Sequence, residues 1–211
     1  MLITRAPIRD QVYRHILEQV DRGDLPAGSR VRDTALAVVL GVSRTPVREA
    51  LLRLAGDGVL DAEAGRGFRV RRLDRAEIGE VGAMLGALEP LALELSSEIL
   101  PERLARLEAV AERLERTRGD ALRCIDLDDE WHRILLEGCP NQRLLRLIAT
   151  LRQIPRRYLH AYLREAGRVS LSTIHHSRVL QALRRGERAT AAELLRRRWQ
   201  RGVKEMESWI P

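Results

Sequence analysis

The segment Leu40–Leu54, LGVSRTPVREALLRL, contains a tight turn followed directly by a short amphipathic helix. Gly41 permits the sharp backbone turn, and Pro46 lies in the first helical turn, where a missing backbone N–H breaks no hydrogen bond. The apolar residues recur at helical spacing and therefore share one buried face, formed by Val47, Leu51 and Leu54. This pattern predicts the second helix of a helix-turn-helix unit.

The opposite face of the same helix is polar and consists of Ser43, Arg44, Thr45 and Arg48. Ser43 is expected to cap the helix, and the two arginines lie one helical turn apart near its N-terminus. Arginine pairs bidentately with guanine in the major groove, so such a helix suits sequence-specific DNA binding. An ordinary amphipathic helix with a solvated basic face would show the same pattern. Only the flanking sequence can distinguish it from a DNA-binding helix.

The upstream sequence predicts two more helices. Asp33–Leu40 is a short apolar segment that fits the first helix of the helix-turn-helix pair. Ile8–Val20 has apolar residues at helical spacing and is followed by the turn residues Gly23, Pro26 and Gly28.

The downstream sequence predicts a wing. Two short apolar runs, Leu60–Ala62 and Phe68–Val70, flank a glycine-rich tip and indicate a small two-stranded β-hairpin. Arg66 and Arg69 on this hairpin are expected to reach phosphate groups or the minor groove. Residues 1–73 are therefore predicted to form a winged helix-turn-helix DNA-binding domain.

This domain resembles the N-terminal domain of the GntR family of transcriptional regulators. The resemblance rests on GDLPAG at Gly23–Gly28, LGVSRTPVREAL at Leu40–Leu51, Gly58, and the wing residues Gly65–Gly67. It implies that operator bases or phosphates are contacted from the helix by Arg44, Thr45 and Arg48. It also implies a wing tip in the minor groove at Gly65, and a further contact at Arg32.

Residues 74–211 are predicted to form an all-α antiparallel bundle of six or seven helices, which makes the chain mainly α-helical. Asp74 is expected to cap the first helix, which is predicted to run towards Leu100 and to be kinked or split at Pro90. Pro155 predicts a second kink. The net charge of +7 suits a polyanionic partner. The sequence contains neither a secretory leader nor a membrane-spanning run, so we expect a cytoplasmic protein.

A polar constellation lies inside this predicted bundle. Asp128 and His132 are four residues apart and share a helical face, and His176 lies on a later helix. One carboxylate and two imidazoles suit Zn²⁺ or a similar divalent cation. Three unrelated polar side chains, a surface aspartate and two capping or core histidines, would fit the same spacing.

The C-terminal half resembles the FCD domain, the ligand-binding bundle of the FadR subfamily of GntR regulators. The resemblance rests on LDDEWHRIL at Leu127–Leu135, on Gly138–Asn141, and on the segment His176–Glu187. It implies three of four metal ligands, Asp128, His132 and His176, which would hold Zn, Ni or Mn.

The position of the fourth ligand in this resemblance is Arg198, and an arginine does not ligate metals. Three alternatives follow. Water or the effector completes a three-ligand site, or His160 or His175 is recruited instead. In the third, there is no metal, and Arg198 neutralises Asp128 or binds a carboxylate effector directly.

Arginine, tryptophan and leucine residues are also predicted to lie around this site. Arg152 is a candidate effector ligand, while at least two of Arg152, Arg156 and Arg157 are expected to be solvated. The tryptophans are expected to pack in the core, with Trp131 and Trp199 able to wall the site. Leu85 stands where relatives often carry arginine, which favours a more apolar effector.

Together these features predict a homodimeric transcriptional regulator, a repressor, that binds double-stranded operator DNA. A small organic effector containing a carboxylate is expected to bind in the C-terminal bundle at Asp128, His132, His176, Arg152 and Arg198 and to change operator affinity. Catalysis is not expected. The alternatives are a metal-dependent hydrolase that uses the Asp/His/His cluster, and an architectural DNA-binding protein without an effector.

Overall fold

The computed structural model describes residues 7–117, 120–166 and 173–210. The chain forms two compact units, Met1–Leu73 and Asp74–Pro211. Within the described ranges, no helix combines the length and the apolarity that crossing a lipid bilayer requires.

The first unit contains three helices, α1 (Ile8–Arg22), α2 (Asp33–Leu40) and α3 (Arg44–Gly56). The turn between α2 and α3 passes through Gly41, whose φ of 63° lies in the left-handed region that glycine adopts without strain. The predicted helix-turn-helix pair is confirmed. Ser43 occupies the N-cap position of α3 in the extended conformation that is usual there, but the predicted side-chain cap is wrong, because its side chain makes no capping hydrogen bond.

The wing is a sheet of three strands in the order β1-β3-β2, all antiparallel, with β1 (Arg30–Val31), β2 (Leu60–Glu63) and β3 (Gly67–Val70). The predicted two-stranded hairpin is therefore β2 and β3, and β1 is an addition that corrects the prediction. A two-residue strand shows no alternation of polar and apolar residues, so the sequence holds no signal for it.

The core of the first unit lies between the helices and this sheet. The predicted stripe of α3 is confirmed, because Val47, Leu51 and Leu54 are fully buried. They pack in one cluster with Ile16 of α1 and Phe68 of β3. Burial of this face leaves the opposite face of α3 towards solvent.

The second unit is a bundle whose described part contains six helices: α4 (Arg75–Glu94), α5 (Pro101–Arg116), α6 (Ala121–Leu136), α7 (Gln142–Ala166), α8 (Thr173–Arg184) and α9 (Arg188–Trp209). Asp74 caps α4 by accepting a hydrogen bond from the amide of Ala76, as predicted. Of the two alternatives predicted for Pro90, the split is wrong, because the helix continues through the proline, while the kink stays a prediction. The helix ends at Glu94 and does not reach Leu100 as predicted.

Packing against α9 explains how α4 tolerates its proline. A side chain at Gly82 would come within 1.9 Å of Val203 on α9, so glycine allows the two helices to approach closely. Leu85 and Leu93 on the same helix are completely buried. These tertiary contacts stabilise a helix that local propensity alone would interrupt. The bundle core also contains the fully buried Trp131 of α6.

Candidate functional sites

The solvent-facing side of α3 carries the residues predicted to contact DNA. The side chains of Arg44 and Arg48 are 65% and 63% exposed, and Thr45 between them is exposed as well. Their exposure follows from helical geometry, because the intervening Val47 points into the core. The face therefore offers two guanidinium groups and one hydroxyl to a partner.

An acidic side chain that the sequence did not single out lies beside these arginines. Asp33, the first residue of α2, accepts a hydrogen bond from Nη2 of Arg44 at 3.1 Å and lies 3.6 Å from Nη1 of Arg48. The hydrogen bond from Arg44 is the main cause that holds the pKa of Asp33 below its usual range. The carboxylate is therefore ionised at neutral pH.

The wing and its neighbours present a second group of predicted residues. Gly65, at the tip, has a φ of 69°, and both Gly65 and Arg66 are exposed. Arg32 and Ser43 are also exposed. Arg69 differs from its prediction, because it turns back into the unit and donates hydrogen bonds to Glu63 at 2.6 Å and to the carbonyl of Gly28 at 2.8 Å.

A buried polar cluster occupies the centre of the second unit. Asp128 and His132 come from α6 and His176 from α8, and their exposed fractions are 3%, 1% and 2%. One ligand atom from each residue lies within 4.8 Å of the others. The structure thus brings together the three residues that the sequence placed on two different helices.

Arg198 of α9 completes this cluster. Its Nη2 donates a hydrogen bond to Asp128, and its Nη1 lies 2.8 Å from Nε2 of His132. Nε2 of His176 lies 3.0 Å from the same Asp128 oxygen. The guanidinium therefore occupies the space in front of two of the three predicted ligands.

Glu89 of α4 is a central residue of this site that the sequence analysis did not single out. It is completely buried and lies 2.9 Å from Nδ1 of His132. It also accepts hydrogen bonds at 2.8 Å from the indole of Trp199 and from Arg152. Its spacing of four residues from both Leu85 and Leu93, which are completely buried, is the signal that could have placed Glu89 on the buried face of α4. Its partners could be found only from the fold.

Arg152 of α7 links the carboxylates of the site. Besides Glu89 it donates to Asp128 at 3.1 Å and to Asp129 at 2.7 Å. Two guanidinium groups, those of Arg152 and Arg198, therefore face three carboxylates. This near balance explains how so many charges can be buried together, because each ion has an oppositely charged hydrogen-bonding partner.

The surroundings determine the protonation states in the cluster. Burial lowers the pKa of His132 to about 4 although the charge of Glu89 opposes the change, and burial also lowers the pKa of His176. Burial works against ionisation of Asp128, but the charge of Arg198 and the neighbouring imidazoles outweigh it and hold that pKa well below its usual range. At neutral pH both imidazoles are uncharged, whereas Asp128 and Glu89 are ionised.

These states assign the hydrogen bonds of His132. Nδ1 faces the Glu89 carboxylate, so we infer that Nδ1 carries the proton of the neutral ring and donates a hydrogen bond to Glu89. Nε2 then accepts a hydrogen bond from Arg198. Nε2 of His176 lies 3.0 Å from Oδ1 of Asp128, so we infer that this nitrogen carries the proton of the neutral ring. Nε2 of His132 is thus already used in a hydrogen bond with Arg198, whereas Nδ1 of His176 has no hydrogen-bond partner among the described residues.

This arrangement decides how well the three residues fit a metal ion. Asp, His and His are a suitable donor set by chemistry. However, a cation bound to Asp128 and His132 would meet the positive charge of Arg198 on the same two residues. The residues as arranged do not fit a divalent metal, and a metal would require Arg198 to leave.

The two histidines considered as substitute ligands do not change this conclusion. His160 is buried on α7, but within the described part of the chain it is not among the residues whose ligand atoms converge. The side chain of His175 lies outside the described residues.

The prediction that at least two of three α7 arginines are solvated is wrong. Arg152, Arg156 and Arg157 have side-chain exposures of 12%, 18% and 5%. Arg156 pairs with Asp126 and Asp129 of α6, and Arg157 pairs with Glu77 of α4. The acidic partners lie on other helices, so the arginine spacing alone could not indicate burial.

The tryptophans contribute to both the core and the site. Trp131 is fully buried, and its ring centroid lies 4.3 Å from that of His176 and 5.1 Å from that of His132. Trp199 reaches Glu89 as described above. Both therefore wall the polar cluster, whereas the side chain of Trp209 lies outside the described residues.

Comparison with known proteins agrees with this architecture. Residues 80–201 match the FCD domain, and residues 8–70 match the family described as bacterial regulatory proteins, gntR family. The chain belongs to the GntR family. Its second unit carries the FCD domain, which is consistent with the FadR-like subfamily of GntR proteins.

Individual GntR relatives support the same assignment. The chain is 31% identical over 147 residues to the uncharacterized HTH-type transcriptional regulator YdhC of Bacillus subtilis. The aligned region covers 68% of this chain and 66% of YdhC. It is 31% identical over 146 residues to a Paenarthrobacter nicotinovorans protein named "Probable D-xylose utilization operon transcriptional repressor", covering 68% and 65%. The match thus spans just under two thirds of the length of these relatives.

A solved structure extends the likeness over nearly the whole chain. The Escherichia coli protein McbR/YncC superposes with a TM-score of 0.83 at 26% identity, covering 97% of this chain and 99% of that protein. The winged helix-turn-helix unit and the helical bundle are therefore shared with another GntR protein.

Proposed function

We propose that this GntR protein is a transcriptional repressor that binds operator DNA and responds to a small organic effector. The observation that carries the proposal is the exposed face of α3, where Arg44 and Arg48 project from a helix-turn-helix unit whose other face is buried. Because a regulator of this kind acts on chromosomal DNA, the proposal includes a cytoplasmic location.

In the proposed complex α3 lies in the major groove. Arg44, Thr45 and Arg48 contact base edges and phosphates, since guanidinium groups read guanine bidentately and hydroxyls accept or donate to either base. The exposed Gly65 and Arg66 bring the wing tip to the minor groove, and the exposed Arg32 and Ser43 contact the backbone.

Two unsatisfied nitrogen atoms support a ligand in the bundle. Nδ1 of His176 and Nε1 of Trp131 are buried and have no hydrogen-bond partner among the described residues. Buried polar groups usually have partners, so a ligand with a donor and an acceptor would satisfy both. A carboxylate on that ligand would compete with Asp128 for Arg198, and with Glu89 or Asp129 for Arg152.

The imidazoles and the guanidinium groups of the site would contribute differently to ligand binding. His132 and His176 add hydrogen-bonding capacity without adding charge, while Arg198 and Arg152 supply the positive charges. In our proposal, ligand binding therefore rearranges ion pairs that join α4, α6, α7 and α9. This rearrangement would change the position of the helices and hence operator affinity.

A homodimer is part of the proposal because two-fold operators match two-fold proteins. Three large apolar side chains along one side of α4 and at its C-terminal end remain about half exposed. They are Met84, Leu91 and the C-cap residue Leu95, at 43%, 43% and 45%. The half-buried Leu88 continues the same row. A second copy of the chain would cover this stripe.

The enzymatic alternative receives no support from the site. A metal-dependent hydrolase would need Asp128, His132 and His176 open to a metal and a substrate. All three are buried, and Arg198 is hydrogen-bonded to Asp128 and His132. No observation favours the architectural alternative.

The direct test is selection of duplexes from a random-sequence library by the full-length protein, followed by binding measurements. We expect enrichment of a pseudo-palindromic sequence, and we expect Arg48→Ala to weaken binding to it by ~1–3 kcal/mol. Arg9→Ala, which removes an exposed arginine of α1, is the matched control. Failure to enrich any sequence would refute the proposed function.

A further inference from the structure

A carboxylate stands between the two arginines that face solvent on α3. Oδ2 of Asp33 accepts a hydrogen bond from Arg44 at 3.1 Å and lies 3.6 Å from Arg48. The arginine side chains are 65% and 63% exposed, whereas that of Asp33 is only 13% exposed. The acid is thus part of the folded unit, and the guanidinium groups reach outwards from it.

Asp33 is held in place by its other oxygen. Oδ1 accepts a hydrogen bond from the backbone amide of Thr34 at 2.9 Å, at the N-terminus of α2. The partial positive charge of a helix N-terminus stabilises a carboxylate at this position. Asp33 is therefore a fixed point, and the long arginine side chains are the groups whose orientation it limits.

This placement opposes simple attraction to DNA. A negative charge beside two arginines reduces the positive potential that draws a protein to phosphates, and phosphate contacts supply most non-specific affinity. The carboxylate also leaves most guanidinium donors available, because each guanidinium carries five N–H groups and Asp33 takes one from Arg44. Bidentate reading of a guanine needs only two.

We propose that Asp33 is a positioning residue that orients Arg44 and Arg48 towards base edges and restrains them from binding phosphates of any sequence. The inference rests on the proposed DNA-binding function. Orientation before binding reduces the side-chain entropy lost on a matching site, which favours specific complexes. The same ion pairs must be disturbed when an arginine turns to a phosphate, which disfavours non-specific complexes.

The test compares Asp33→Asn with wild type in the full-length protein. Asparagine keeps an oxygen that can accept from Thr34 and removes only the charge, so the fold of α2 should survive. Asp24→Asn is the matched control, since it removes one exposed negative charge from the same unit. The probes are the duplex selected by wild type from a random-sequence library and a scrambled duplex of equal length, each measured over a series of salt concentrations.

We expect D33N to bind the scrambled duplex at least threefold more tightly and to lower the ratio of specific to non-specific affinity about tenfold or more. The non-specific salt slope should steepen by about 1, because a released arginine gains a phosphate contact. D24N should leave the ratio near the wild-type value. Asp33→Glu, which retains the charge, should recover part of the ratio.

Three outcomes would overturn the inference. D33N could weaken both duplexes equally, which is the result of a merely structural role. D33N could leave the ratio of specific to non-specific affinity and the salt slope unchanged. It could also change the affinities by the same amount as D24N, which would mean that the effect comes only from the net charge of the unit. Absence of any selected duplex would instead refute the proposed function itself, and with it the inference.

Discussion

Arg198 extends from α9 and places its guanidinium against Asp128 and His132. These two residues and His176 form a donor set that would suit a transition metal. The guanidinium supplies a positive charge at the same position and is held by the covalent chain. The positive charge beside Asp128 is therefore supplied by the chain itself and not by an ion from solution.

The first prediction concerns this substitution of a side chain for a metal. Arg198→His removes the resident charge and adds a fourth nitrogen or oxygen donor, so we expect the variant to bind about one Zn²⁺ per chain. The wild-type protein, purified without a His-tag or chelator, is expected to contain none. Elemental analysis and zinc titration would measure both.

Arg197→His is the matched control for this experiment, because Arg197 is the preceding residue but its side chain is 69% exposed. It should bind no additional zinc. Stoichiometric metal in the wild-type protein, or an R198H variant that stays metal-free in excess zinc, would contradict the assignment of Arg198.

The second prediction concerns acid stability. The pKa of His132 is about 4 in the folded protein and ordinarily about 6.5, so the unfolded chain takes up the proton first as the pH falls. The contribution of neutral His132 to stability is complete above pH ~6.5 and is lost as the pH falls towards 4. Between pH 7.5 and 5.5 we expect a loss of about 1 kcal/mol from this group.

Tryptophan fluorescence during urea unfolding would measure this loss, because all three tryptophans lie in the second unit. His176 shifts in the same direction and should increase the loss. A free energy of unfolding that stays constant from pH 7.5 to 5.5 would show that the imidazoles are not buried in their neutral form.

At the scale of secondary-structure elements, α7 joins two regions of the bundle. Arg152 contacts the buried cluster, while Tyr158, six residues further along, contacts the start of α4. The Tyr158 hydroxyl accepts from the amide of Asp74 at 2.7 Å and donates to Glu77 at 2.6 Å. One helix therefore contacts both the candidate effector site and the first residues of the second unit.

The third prediction tests the close packing of α4 on α9. Gly82→Ala would place a Cβ 1.9 Å from Val203, which requires one helix to move. We expect a loss of stability of about 1–3 kcal/mol, the range typical of an overpacked core. Chemical denaturation followed by tryptophan fluorescence reports on this unit.

Gly202→Ala on α9 is the matched control, because nothing lies within 4 Å of the Cβ that it adds. Alanine is the better helix former, so this variant should gain roughly 0.5–1 kcal/mol. Equal effects of the two substitutions would mean that the glycine of α4 is not required for close approach.

At the scale of the whole molecule, the remaining question is assembly. The fourth prediction is that the protein is a dimer in solution and that Leu91→Glu makes it monomeric. A charge in the centre of the α4 stripe, where Leu91 is 43% exposed, could not be covered by a second copy without an unpaired buried carboxylate. Size-exclusion chromatography with light scattering would measure the mass.

Leu147→Glu on α7 is the control, because Leu147 is equally exposed, at 48%, but lies outside the stripe. It should remain dimeric. A dimer that survives L91E and dissociates with L147E would move the interface to α7, and a monomeric wild type would contradict the proposed two-fold recognition of DNA.

Much of the fold could be predicted because its signals are local. The turn at Gly41, the α3 stripe and the glycine-rich wing tip each lie within a few residues of the chain, and helical periodicity predicted the bundle. The departures are equally instructive. Pro90 did not end α4, since tertiary packing outweighs local propensity. The strand β1 is too short to carry a pattern.

The sequence by itself determined which residues share a face at the two candidate sites: the arginines of α3, and the pair Asp128 and His132 on α6, with His176 predicted on a later helix. Spacing along a helix places side chains on one face, so such sets can be read directly. Only the tertiary structure decided their partners. Glu89 and Arg152 are 63 residues apart, and Asp33 and Arg44 lie on different helices. Whether a charge is solvated, neutralised or restrained depends on which distant groups the fold brings to it, and no local pattern records that.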